Sequence, residues 1–269
     1  MDRLFDKVLV RPPCTTYGNC LSKNPAKSTI EVAKAKDQHR NYVKTLRQNG
    51  VEVLELQPLD KFPDSIFIQD VAFVGADSKK AFICRFGVNE RRGEENNVAE
   101  HLKKLGFKIE RTRSPGTIEG GDILVTDQDT IFIGMSERTN ERGIDQLSET
   151  FPQKEVVKVP VEKVFHLLSA VNFLGNGTLA VCPELVDLKY FKDFELLKIS
   201  KDEQKTRYTN KPINLLYVGN DKVLMPNVYP KTSEMLEDAG YETIEVDISE
   251  FWKGDAGITC PMLPIYKGF

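Results

Sequence analysis

Hydrophobic and polar positions along the chain fall into two recurring textures. Stretches with apolar residues at helical spacing lead into short segments where apolar and polar residues alternate. The alternating segments are VEVLEL from Val51, FKIERT from Phe107, EVVKVPV from Glu155, FELLKI from Phe194 and YETIEV from Tyr241. A period of two predicts half-buried strands. Their starts recur at intervals of 39 to 56 residues, a loose repeat of the size found in propellers and arrays.

The first helix is the most legible. Ser28-Thr29-Ile30-Glu31 has capping-box spacing, and Val32, Ala35, His39, Tyr42, Val43 and Leu46 then share one face. Further helices are predicted at 95–105, 138–149 and 230–239, with only a weak one in the fourth repeat. Gly50, Gly106 and Gly240 stand where a left-handed residue ends the preceding helix. Ahead of the later helices come pairs of apolar strands, such as SIFIQDVAFV with KAFICRF, DILVT with TIFIGM, and INLLYV with KVLMP. The unit is therefore strand–strand–helix–strand, five times over. KVLVRPP near the start has no partner strand ahead of it, and ITCPMLPIY at the end has no helix behind it. The last strand is thus expected to complete the first unit. That closes a ring and removes the sheet edges an open array would expose. The expectation is a single α/β domain spanning 1–269.

Composition narrows the function. A chain of 269 residues that is 40% hydrophobic can bury a large core. A net charge of −3 without a basic stripe argues against nucleic acid or an anionic membrane as partner. No apolar run is long enough to span a bilayer, and the start lacks the apolar core of a signal peptide. The five cysteines are odd in number and scattered, which fits neither a disulfide framework nor a zinc site, so a reduced, cytoplasmic setting is expected. The sequence leaves the oligomeric state open, with a homodimer compatible.

In a ring of repeats, groups at equivalent strand ends converge although they are distant in sequence. Asp64 and Asp70 bracket SIFIQ; on a regular strand they would lie about 20 Å apart. Either they touch opposite ends of a ligand, or they are turn and strand-end residues. Glu119 precedes Gly120-Gly121-Asp122, which reads as a plain turn or as backbone approaching something closely. His166 enters an apolar stretch as a core residue or a base; His39 and His101 lie on helices away from strand ends. Arg85 and Arg138 are solvated charges or clamps for a carboxylate. Cys14 and Cys20 flank a segment read as a mobile loop, while Cys84 and Cys182 read as inert strand cysteines. Cys260 differs from these, because Gly254 and Gly257 precede it on the closing strand.

PDSIFIQD, RFGVNERRGE, IEGGDIL, GMSERTNERG, the FHL histidine and GDAGITC occur in that order along essentially the whole chain. Together they resemble the dimethylarginine dimethylaminohydrolase family of guanidine-modifying enzymes. The resemblance implies a five-bladed α/β propeller, the pentein fold. It implies hydrolysis of a methylated arginine to citrulline and an alkylamine, with no metal or organic cofactor and a small guanidino amino acid as partner. Cys260 would be the nucleophile and His166 the general acid/base. Asp70 and Glu119 would hold the guanidinium, Asp64 the substrate amino group, and Arg85 with Arg138 its carboxylate. Gln69 and Gly254 complete the implied substrate-binding set, and Thr15–Leu21 resembles the lid. Gln69 stands where the pattern leads one to expect glutamate, Pro261 follows the cysteine, and LLSAVNFLG after His166 lacks an expected lysine. An arginine deiminase, or a hydrolase of another guanidino or ureido compound, is the alternative within the same chemistry. A non-catalytic binding propeller is the alternative outside it.

Overall fold

The computed structural model describes residues 3–200 and 213–269. Five three-stranded units follow one another, each with a middle strand antiparallel to its first and parallel to its third. The second unit is Ala72–Gly75, Lys80–Ile83 and Lys108–Arg111; the third is Ile123–Val125, Thr130–Met135 and Glu155–Pro160. The fourth is Val171–Phe173, Thr178–Val181 and Glu195–Lys198; the fifth is Leu216–Gly219, Lys222–Pro226 and Glu242–Val246. In the first unit the middle strand is Phe5–Val10 and the third Glu52–Glu55, while the first place is taken by Met262–Tyr266 from the chain's end. The last strand therefore completes the first unit. It also pairs in parallel with the second unit through Ile265 and Val74, merging the two into one six-stranded sheet.

Burial explains which strands the alternation revealed. The first strands are buried along nearly their whole length, so they read as apolar runs with no face preference. The third strands are half exposed, as an alternating pattern requires. Helices α1 (Val32–Gln48), α2 (Glu94–Lys104), α3 (Glu141–Thr150) and α4 (Pro230–Asp238) supply the crossovers, and a 3-10 turn at Leu188–Phe191 serves the fourth unit. Gly50, Gly106 and Gly240 all have φ between 76° and 93°, which turns the chain from helix to strand. One helix was absent from the sequence reading, the short α5 at Ser249–Lys253.

Three expectations need correcting. The capping box does not form: Pro25–Thr29 is a 3-10 turn capped by Asn24, and Glu31 makes no side-chain cap. Instead the Glu31 N–H donates to Glu250 Oε2 of α5 at 2.9 Å, a tertiary bond that replaces the local one. Helix α3 starts at Glu141 behind an Asn140 cap, which leaves Arg138 on a loop. SIFIQD is not strand but two 3-10 turns, Pro63–Ile66 and Ile68–Val71. Equivalent turns, Gly120–Asp122 and Leu167–Ser169, precede the first strands of the third and fourth units.

The segment around Cys14 and Cys20 is packed rather than loose, with Cys14, Tyr17 and Cys20 at most 1% exposed. Burial raises the Cys20 thiol to about 12. Among the described residues, no helix is long and apolar enough to cross a membrane.

His39 sits in the α1 interface at 1% exposure, and its Nε2 has no hydrogen-bond partner among the described residues. Burial lowers its pKa to about 4. The unfolded chain, with an ordinary value of about 6.5, then binds more protons than the native state at mildly acid pH. His39 is therefore neutral and harmless above pH ~6.5, and native stability drains away as pH falls toward ~4, by up to about 3 kcal/mol. Urea unfolding from pH 7.5 to 4.5 should show this loss in the wild type and a much flatter dependence in His39→Leu. Parallel curves for the two proteins would refute it.

Candidate active site

The turns ahead of the first strands carry polar side chains toward one another. Asp70 lies in the second unit's turn, while Glu119 and His166 begin those of the third and fourth. Cys260 precedes the closing strand of the first. Cys260, His166, Asp70, Asp64, Arg138 and Gly254 all line one cavity of about 490 Å³. Asp64 and Asp70 share it because the two 3-10 turns shorten the path that a strand would have stretched.

His166 Nε2 lies 2.9 Å from Glu119 Oε2, and its Nδ1 is 3.9 Å from Asp70 Oδ1. Burial opposes protonation of the ring, but Asp122, Asp70 and Glu119 outweigh it and raise His166 to about 9. Burial likewise works against the Glu119 anion, and the hydrogen bond and charge of His166, with Arg91 and Arg138, reverse this and hold it low. The pair is an imidazolium–carboxylate pair at neutral pH. Glu119 itself is 0% exposed and stands behind the ring, with Oε1 accepting from Gly87 N–H at 3.1 Å and Arg138 Nη1 at 3.2 Å.

Asp70 is fixed from both sides, Oδ1 by the Gly121 N–H at 3.0 Å and Oδ2 by Arg91 Nη1 at 2.7 Å. Arg91 also grips Glu94 and the Phe67 carbonyl. Asp64 is raised by burial against the pull of Arg91, and both its oxygens accept from the Leu21 N–H at 3.0 Å. Arg138 stacks on the half-exposed Phe165 ring, 4.4 Å from its centroid.

The cysteine's turn is held by its neighbours in the ring. The Gln69 N–H donates to the Cys260 carbonyl at 3.2 Å, and Thr259 N–H to Asn214 Oδ1 at 2.9 Å. The Gly257 N–H donates to Cys260 Sγ at 3.3 Å. Gln69 turns away from the cavity, its Oε1 accepting from Thr259 Oγ1 at 2.9 Å. Arg85 is not among the cavity-lining residues, and its Nη1 donates to the Gly116 carbonyl at 3.2 Å. Arg91, Glu94, Asp122, Thr259 and Asn214 escaped the sequence reading. Arg91 and Glu94 lie within the quoted RFGVNERRGE, and Asp122 within IEGGDIL, so the segments were visible while the roles were not.

Donor atoms of Asp70, Glu119 and His166 lie within 4.8 Å of one another, close enough to hold a metal ion. An ion there would compete with the Arg91 guanidinium and the imidazolium, which already neutralise these acids. The donor set fits an internal ion-pair network better than a metal centre.

The two glycines do both things the sequence left open. They form the turn, and they let chains meet: a Cβ on Gly120 would lie 2.0 Å from the Gln69 carbonyl oxygen, and one on Gly121 2.3 Å from His166 Nδ1. Gly121→Ala should therefore displace the imidazole and lower turnover of any substrate by on the order of 100-fold while the fold persists. Circular dichroism and kcat of the purified variant check this; wild-type kcat would show that the ring is not so confined.

A family model described as N,N dimethylarginine dimethylhydrolase, eukaryotic, matches residues 8–267. An uncharacterised protein of Aeropyrum pernix is 40% identical over 99% of this chain and 97% of its own. The N(G),N(G)-dimethylarginine dimethylaminohydrolase of Streptomyces coelicolor is 35% identical over 94% of this chain and 95% of its own. A solved structure of the Pseudomonas aeruginosa enzyme, a cysteine-to-serine mutant complexed with citrulline, is 33% identical with a TM-score of 0.86. It covers 97% of this chain and 100% of that one. The match in sequence and fold runs the length of the chain, and the protein belongs to the dimethylarginine dimethylaminohydrolase family, hydrolases of the pentein fold that act on carbon–nitrogen bonds.

Proposed function

We propose that this chain hydrolyses the guanidinium of an N-methylated arginine to citrulline and an alkylamine, with Cys260 as nucleophile. The observation that carries the reading is the shared cavity, where Cys260 and a histidine raised to about 9 meet a surplus of buried acid. Asp64, Asp70, Glu94, Glu119 and Asp122 are buried in or behind the cavity against the buried cations Arg91 and His166, while the cavity's other cations, Arg138, Lys23 and Lys27, are at least partly exposed. A site with that balance favours a cationic ligand. The substrates and ligands in the relatives' names, dimethylarginine and citrulline, agree with it.

Chemistry follows from the protonation states. The guanidinium is a resonance-stabilised cation and a poor electrophile. Asp70, held rigid by Arg91 and Gly121, accepts from its N–H groups and sets its carbon before the sulfur. Thiolate adds to that carbon, giving a neutral tetrahedral adduct. His166, already protonated, delivers its proton to the departing amine, and the C–N bond breaks to leave a cationic thiouronium on Cys260. The neutral imidazole then takes a proton from water, whose oxygen bonds to the same carbon. Collapse expels the thiolate, and the excess proton on the product's urea group passes to solvent. Glu119 stabilises the charged imidazole at the start and end of this cycle. Asp64, held in place by the Leu21 N–H, suits the substrate's amino group, and Arg138 its carboxylate.

Incubation with asymmetric dimethylarginine, monomethylarginine, arginine, agmatine and citrulline should release dimethylamine and methylamine. Ammonia from arginine as the sole product would replace this reading with a deiminase. Cys260→Ser should lose activity by at least about 1,000-fold, and retained turnover would remove the cysteine from the mechanism. Arg138→Ala should raise KM for amino-acid substrates about tenfold or more, with a smaller change in kcat. An unchanged KM would end its role as a clamp.

A further inference from the structure

We propose that Asp122 is a positioning residue for this reaction, tying the turn that carries His166 to the loop that carries Arg138 through one buried carboxylate. It is 0% exposed and absent from the cavity lining, so it acts on the histidine and not on substrate. Its Oδ1 accepts the Leu167 N–H at 3.0 Å, one residue beyond the imidazole. Its Oδ2 accepts from Ser136 Oγ and Thr139 Oγ1, both at 2.7 Å. Those hydroxyls in turn fix the loop, since Ser136 Oγ accepts the Arg138 N–H at 3.0 Å and Thr139 Oγ1 the Glu119 N–H at 3.1 Å. One carboxylate thus gathers the general acid, the acid's ion-pair partner and the arginine.

The local geometry was built around that carboxylate. A Cβ on Gly134 of the neighbouring strand would stand 2.7 Å from Asp122 Oδ1, so only glycine leaves it room. The three hydrogen-bond donors to Asp122 are all uncharged, so its charge is answered chiefly by the imidazolium. Burial raises the Asp122 pKa, and His166 is first among the influences that lower it again. The charged groups facing His166 are Asp70 at 3.9 Å, Glu119 at 2.9 Å and Asp122, with Arg91 and Arg138 bound to the outer oxygens of the first two. Of the three acids, Asp122 has no arginine of its own. Its negative field is the least cancelled.

The test is Asp122→Asn, which keeps shape and removes charge, read by NMR titration of histidine-labelled protein. Only three histidines exist, and His39 and His101 are both lowered while His166 is raised, so the His166 signal is separable. The titration midpoint should fall by about one pH unit or more relative to wild type. Ser136→Ala, which removes one hydroxyl and keeps the charge, should shift it far less. An unmoved midpoint in Asp122→Asn, or an equal shift in both variants, overturns the proposal. Should Asp122→Asn not fold, Thr139→Val and Thr139→Ser give a second route. Valine should lower kcat and raise KM, serine should restore both, and equal behaviour of the two sinks the idea. The NMR arm needs no substrate, so its failure is distinct from failure of the dimethylarginine reading; the kinetic arm rests on that reading.

Discussion

Everything in this molecule hangs on the antiparallel pairing of Met262–Tyr266 with Phe5–Val10. Without it the first unit lacks its innermost strand, and the second loses the parallel partner at Ile265. The pairing also delivers Cys260, two residues before the strand begins, to the inner end of the first unit. A hydrophobic strand buried on both faces has no polar face to fix its register. Here the polar residues just ahead of it pin the register. Thr259 bonds Asn214 of the fifth unit and Gln69 of the second, and the Cys260 carbonyl takes the Gln69 N–H. The same stitching continues round the ring, from Asp70 to Gly121 and from Asp122 to Leu167. The active site and the ring's inner seam are one set of hydrogen bonds.

That economy has an electrostatic consequence. Burying carboxylates is costly unless each finds a cation or several donors. Asp70 and Glu94 are answered by Arg91, and Glu119 by His166 and Arg138, while Asp122 relies on uncharged donors and the nearby imidazolium. The histidine is therefore charged because the acids around it need it to be. The protonated imidazole and Cys260 line the same cavity.

The repeat and its closure were legible in the sequence because they depend on patterning. Outer strands alternate, glycines mark helix ends, and an unmatched strand at each end of the chain can be satisfied only by the other. The cysteine, the histidine and the acidic motifs were legible through resemblance, since six short segments in order leave little freedom. What misled was local: a capping box at Ser28 that yields to Glu250, and an apolar run at SIFIQD that folds as two 3-10 turns. Periodicity registers which residues are buried. It does not register whether a buried run is extended or coiled.

The sequence by itself determined the five units, their closure by the last strand and the motifs from which the cavity's cysteine, histidine and acids come. Only the tertiary structure decided which arginine serves which acid. Arg91 reaches Asp70, and Arg85 the Gly116 carbonyl; Gln69 faces Thr259 and not the cavity; Glu119 stands behind the histidine. These pairings join residues from different units across the ring, at distances fixed by how the turns bend and not by spacing along the chain. Side-chain chemistry is written locally, but charge balance in a buried site is a property of the whole enclosure, and it exists only once the ring has closed.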